Sequence, residues 1–138
     1  MFQFFAKRLR NDRGFTLIEL LIVVAIIAIL AAILIPNFLR ARAQSQISAS
    51  KGNMKNMATA LESYFVDKGN YPQALSDLSP DYLRAVPNDP CTNGAYTFTP
   101  NADPATDYSI SADFAGTRCG DIIPGLSYTP GGGLQETP

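Results

Sequence analysis

Hydrophobic and polar positions divide this chain into regions of different period. Between residues 20 and 35 no side chain is polar. Counting from Phe15, only Thr16 and Glu19 interrupt the run. At helical rise the segment reaches roughly 30 Å, the thickness of a bilayer's hydrocarbon core. Its Ile, Leu, Val and Ala residues surround the whole helix, unlike an amphipathic surface helix.

Past Pro36 the pattern becomes one-sided. Met54, Met57, Ala58, Leu61, Tyr64 and Phe65 follow the spacing of one helical face. Phe38, Ala41 and Ile47 give a weaker stripe among Arg40, Arg42, Gln44 and Gln46. One helix over about residues 15–66 is expected, with Pro36 bending or loosening it rather than ending it. Gly69 is placed as its C-cap, with Pro72 beyond. Residues 74–83 suit a short helix or turn with Leu75, Leu78 and Leu83 inward.

Strand alternation begins at Tyr96-Thr97-Phe98-Thr99 and returns over residues 108–114. These predict an antiparallel pair covering the helix stripe, with a third short strand near residues 117–119. From Pro124 onward the Gly- and Pro-rich composition suggests a mobile tail or surface loop. The fold class is α+β: one long N-terminal helix on a small antiparallel sheet. The segments are a leader over residues 1–14, an apolar half-helix over 15–36, an amphipathic half over 37–66, and a β head over 67–138.

Charge orients this arrangement. The leader holds Lys7, Arg8, Arg10 and Arg13 against Asp12, a balance of +3. The whole chain carries −1, so the remainder carries −4. Positive flanks stay cytoplasmic, which places the leader inside and the head outside. Arg40 and Arg42 oppose this from the other flank, two against four. No basic field points to nucleic acid.

Two cysteines, Cys91 and Cys119, lie beyond the apolar run. Their spacing fits no CxxC metal or redox motif. In an exported head such a pair reads as a disulfide; two free buried thiols would suit a cytosolic protein. A head of about seventy residues has a thin core and usually needs help from a disulfide, a metal or a partner.

Glu19 is the costly residue. A carboxylate within a membrane is a functional hypothesis by default. Two readings are open: a Glu that snorkels or pairs with Arg13, and a Glu that awaits a cation from another chain.

Gly14-Phe15-Thr16-Leu17-Ile18-Glu19, with the basic leader before it and the apolar run through Pro36 after it, resembles the start of a type IV prepilin. The pseudopilins of type II secretion share this start. The resemblance implies cleavage between Gly14 and Phe15 by a membrane peptidase, which then methylates the Phe15 amine. It implies assembly roles for Phe15, Thr16, Glu19 and Pro36, with Glu19 neutralising the amino terminus of a neighbouring subunit. The implied precursor sits in the inner membrane with its head in the periplasm, and the product is a surface filament of identical subunits built by the pilus assembly machinery. Gly69-Asn70-Tyr71-Pro72, Tyr82-Leu83 and Pro87-x-Asp89-Pro90 also resemble the heads of major pseudopilins and some pilins. Many pseudopilins follow this with an aromatic residue, where this chain has Cys91.

The expected function is a structural pilus subunit. The alternatives are a major pseudopilin, a competence pilin, and a single-pass anchored binding module that keeps its leader. Enzymatic function has little support: there is no His, no G-x-S-x-G elbow and no phosphate-binding Gly loop. No cofactor is expected. Asp107, Asp113 and Asp121 invite calcium but lack EF-hand spacing, so no metal is expected.

Overall fold

A computed structural model describes residues 14–138. The leader assigned to residues 1–14 therefore lies outside the described residues, apart from Gly14. The chain divides into two compact units, Met1–Phe38 and Leu39–Pro138. Helix α1, Leu17–Lys68, contributes to both.

In the first unit, α1 is apolar on every side between residues 20 and 35, and among the described residues nothing covers it. Leu21, Val24, Ile27 and Leu34 are each more than half exposed. This stretch is long and apolar enough to cross a membrane. The helix passes through Pro36 rather than ending there. Proline removes one amide donor and crowds the preceding turn. The Asn37 side-chain amide donates to the Ile33 carbonyl at 3.2 Å, supplying a polar partner beside that gap.

In the second unit, Ala43, Ile47, Ser50, Met54, Met57 and Leu61 form the buried seam of α1. Their alternating steps of four and three keep one helical face turned to the head. Tyr64 and Phe65 are partly buried and pack on the same core. The helix ends at Lys68, two residues beyond the expected limit, where Gly69 takes φ +78° and donates to the Phe65 carbonyl at 2.8 Å. That left-handed conformation favours glycine at a helix C-terminus.

The head is one antiparallel sheet of β1, Thr97–Pro100; β2, Tyr108–Asp113; β3, Gly125–Thr129; and β4, Gly133–Thr137. Spatial order equals chain order. Phe98, Ile110, Tyr128 and Leu134 pair in one row across all four strands. The core joins the helix seam to Leu78, Ile110, Phe114 and Leu126, all fully buried. A short 3-10 turn, Leu75–Leu78, buries Leu75 and Leu78, and Leu83 packs partly buried against the core.

Two expectations are corrected. Residues 117–119 are a turn and not a strand, because the Thr117 amide donates back to Phe114 and the Ile122 and Ile123 amides to Cys119. The segment after Pro124 is no loose tail; it forms the hairpin β3–β4. Gly131-Gly132-Gly133 supplies its turn, with Gly133 at φ +66° and the Gly132 amide donating to Thr129 Oγ1 at 3.0 Å. Gly125 permits close strand approach: a Cβ there would lie 2.5 Å from the Ala112 carbonyl oxygen.

Candidate assembly site

The first turn of α1 is self-capped. The Thr16 amide donates to Glu19 Oε2 at 3.0 Å, and the Glu19 amide donates to Thr16 Oγ1 at 3.2 Å. This is the reciprocal capping box, which satisfies two amides that a helix start otherwise leaves unpaired. A carboxylate here also faces the positive end of the helix dipole.

Sequence reasoning weighed Glu19 by its charge and missed this second role. The signal was present, since Thr-x-x-Glu before an apolar run is a capping-box signature.

Glu19 is exposed, and Phe15 beside it is 82% exposed. Gly14, Phe15, Thr16, Glu19, Ile22 and Val23 line one shallow depression. An ionised carboxylate offers about four lone-pair sites on two oxygens. Only Oε2 is bonded among the described residues, so Oε1 can accept a cation while the cap remains. The suggested pairing of Glu19 with Arg13 lies outside the described residues.

The head has a separate clamp. Cys91 and Cys119 form a disulfide with Cα atoms 5.9 Å apart. The loop carrying Cys91 is tied to α1 by polar contacts. Gln46 Nε2 donates to the Pro90 carbonyl at 3.0 Å, and Asn53 Nδ2 to the Tyr96 hydroxyl at 3.2 Å. The Ser50 and Tyr96 hydroxyls share a buried hydrogen bond of 3.1 Å. Asp89 shapes the loop from inside, accepting from the Thr92 amide at 2.9 Å and its hydroxyl at 2.8 Å.

Aromatic rings connect helix and sheet. Tyr71 packs against Phe65 and Tyr108, with 4.7 Å between centroids in each pair. Burial and a 2.9 Å hydrogen bond to Glu62 push the Tyr71 phenol up to about 12. Burial raises Tyr108 as well.

Two of the three aspartates considered for calcium cap nearby backbone amides. Asp107 accepts from the Tyr108 amide at 2.8 Å and Asp113 from the Ala115 amide at 2.9 Å. Among the described residues, no group of three or more His, Cys, Asp or Glu side chains forms a metal-binding cluster.

An apolar half-helix that no described residue covers, continuous with the helix of a small stapled head, fits a membrane anchor by length and composition. The family model described as the prokaryotic N-terminal methylation motif matches residues 9–35. The type II secretion system core protein G of Pseudomonas aeruginosa is 32% identical over 122 residues, covering 75% of this chain and 86% of that protein. The type IV major pilin of Myxococcus xanthus is 52% identical over 68 residues, covering 49% of this chain and 31% of the pilin. The major component of the type IV wide pilus of Thermus thermophilus is 43% identical over 79 residues, covering 57% of this chain and 60% of that protein. The matches thus span less than two thirds of the Myxococcus and Thermus proteins. The chain belongs to the family of type IV pilins and type II secretion pseudopilins.

Proposed function

We propose that the chain is a structural subunit of a type IV pilus, made as a membrane-held precursor. Its leader stays cytoplasmic, the apolar half of α1 spans the inner membrane, and the head is periplasmic. A prepilin peptidase cuts between Gly14 and Phe15 and methylates the new Phe15 amine. The assembly machinery then moves the subunit from lipid into the filament.

The observation that carries this reading is the helix surface over residues 20–35, exposed on all sides beside a self-capped Glu19. Lipid tails are as apolar as these side chains, so exchanging lipid for neighbouring helices costs little hydrophobic energy. A carboxylate surrounded by apolar helices is expensive unless paired. The Phe15 amine of a neighbouring subunit supplies the pair at Oε1, and the pair fixes register. Pro36 gives the helix a weak point where subunits can stretch.

Residue identity to the Myxococcus pilin is concentrated, at 52% over 68 residues, and favours a pilus. The second reading, a pseudopilin, draws on the match that covers 86% of core protein G. Electron microscopy of cells with and without the gene separates them. Long surface filaments that depend on the gene support the pilus. Normal filaments in the deletion strain, together with lost protein secretion, support the pseudopilin.

A further inference from the structure

Charge in the second unit is segregated along α1. Residues 39–55 carry Arg40, Arg42, Lys51 and Lys55 and no acidic side chain. Residues 56–138 carry ten acidic side chains against Lys68, Arg84 and Arg118, a balance of −7. At 3.6 residues per turn, Arg40, Lys51 and Lys55 fall within about 60° of one another. They form a basic ridge beside the buried seam, with exposed Gln44 and Ser48 between them. Lys51 already binds a carboxylate of its own head, Glu136, at 2.7 Å. Arg40 and Lys55 are exposed and make no ion pair among the described residues.

The complementary surface surrounds the C-terminal end of α1. The Tyr71 hydroxyl donates to Glu62 and the Tyr82 hydroxyl to Asp67, each at 2.9 Å. Tyr71 is also within the field of Asp107, and Tyr82 within that of Asp81. Residue 71 bridges to residue 105, which brings the 101–107 link and its carboxylates to this end. Glu62, Asp67, Asp81 and Asp107 therefore gather at one end of the unit. Along the helix, Asp67 lies about 18 Å from Lys55 and about 40 Å from Arg40.

We propose that the basic ridge of one copy docks against this acidic end of the next copy. The two patches differ and lie apart on one molecule, so the contact is heterologous and propagates instead of closing into a two-fold dimer. The occupant is a second copy because this chain itself carries the opposite charge in excess, and because Lys51 shows the ridge accepting a head carboxylate. Opposed patches of this kind set orientation and register and repel misaligned neighbours. The proposal rests on the filament reading above and adds a contact between heads to the contact between apolar helices.

The test uses the full-length chain expressed in cells. Two reversal variants are made, Arg40→Glu with Lys55→Glu, and Asp81→Lys with Asp107→Lys. Each is expected to lower sheared filament yield about tenfold or more, with precursor level and leader removal unchanged. All four substitutions in one chain restore the interface with its charges exchanged, and filament yield recovers. Reversal without loss overturns the proposal, as does loss without recovery in the fourfold variant. A drop confined to membrane retention of the precursor would assign the ridge to lipid headgroups instead and also overturn it. The filament reading survives all three results, because wild-type filaments still form; it fails only if the wild type forms none.

Discussion

Thr16 and Glu19 hold each other through two reciprocal hydrogen bonds of 3.0 and 3.2 Å at the first turn of α1. The residue proposed to act in assembly is thus also half of a helix cap. In the proposed pairing Thr16 is a positioning residue: it holds Glu19 through Oε2 and leaves Oε1 for a neighbouring subunit's Phe15 amine. Thr16→Ala removes a cap worth about 1 kcal/mol, whereas Thr16→Ser retains it. Filament yield should fall in Thr16→Ala and recover in Thr16→Ser. Equal yields in both would remove Thr16 from the mechanism.

Glu19→Val should enter the membrane and lose its leader normally, yet form no filaments alone. Mixed with wild type it should enter filaments at low frequency, because its own Phe15 amine can still meet a neighbour's Glu19. Electron microscopy with a tagged variant distinguishes the two conditions. Normal filaments from Glu19→Val alone would contradict the pairing.

Among the described residues, and apart from its chain neighbours, nothing lies within 4 Å of where a Gly14 side chain would begin. Gly14→Val should therefore leave α1 intact and block only the peptidase. An immunoblot should show uncleaved precursor accumulating in the membrane. Complete maturation of the variant would misplace the cut site.

The Cys91–Cys119 bridge closes a 28-residue separation. In the chain-entropy model such a loop contributes about 3–4 kcal/mol, a large share for a small head. Cys91→Ser with Cys119→Ser should lower the melting temperature by more than about 10 °C while leaving membrane insertion unchanged. Circular dichroism of the detergent-solubilised chain reads the shift.

Tyr71 gives an alkaline limit. Its phenol is pushed from 10.0 up to about 12, first by burial and then by Glu62. The folded state therefore holds this proton more tightly than the unfolded state. The associated stability is fully present below pH 10 and is lost as pH rises from 10 to about 12. Tyr71→Phe should flatten this part of the stability profile. An unchanged slope in that variant would reassign the effect to other tyrosines.

The apolar run was legible as an unbroken stretch with no polar side chain, and the Met54–Met57–Leu61 stripe because burial imposes a regular period on side chains. The disulfide followed from compartment and cysteine position. The β3–β4 hairpin was hidden by its own turn, since three successive glycines look like low-complexity chain. Its polar strand positions, Ser127, Gln135 and Glu136, also diluted the alternation that exposed β2. The clustering of Glu62, Asp67, Asp81 and Asp107 was invisible for another reason. The Tyr71–Ala105 bridge and the Tyr82–Asp67 hydrogen bond join segments far apart in sequence.

The decisive measurement is the intact mass of the subunit in filaments sheared from cells. A chain that begins at Phe15, with one methyl group on its amine and with Cys91 and Cys119 joined, is the predicted result. Filaments lacking this chain, or a surface protein that still begins at Met1, would contradict assembly through a processed N-terminal helix.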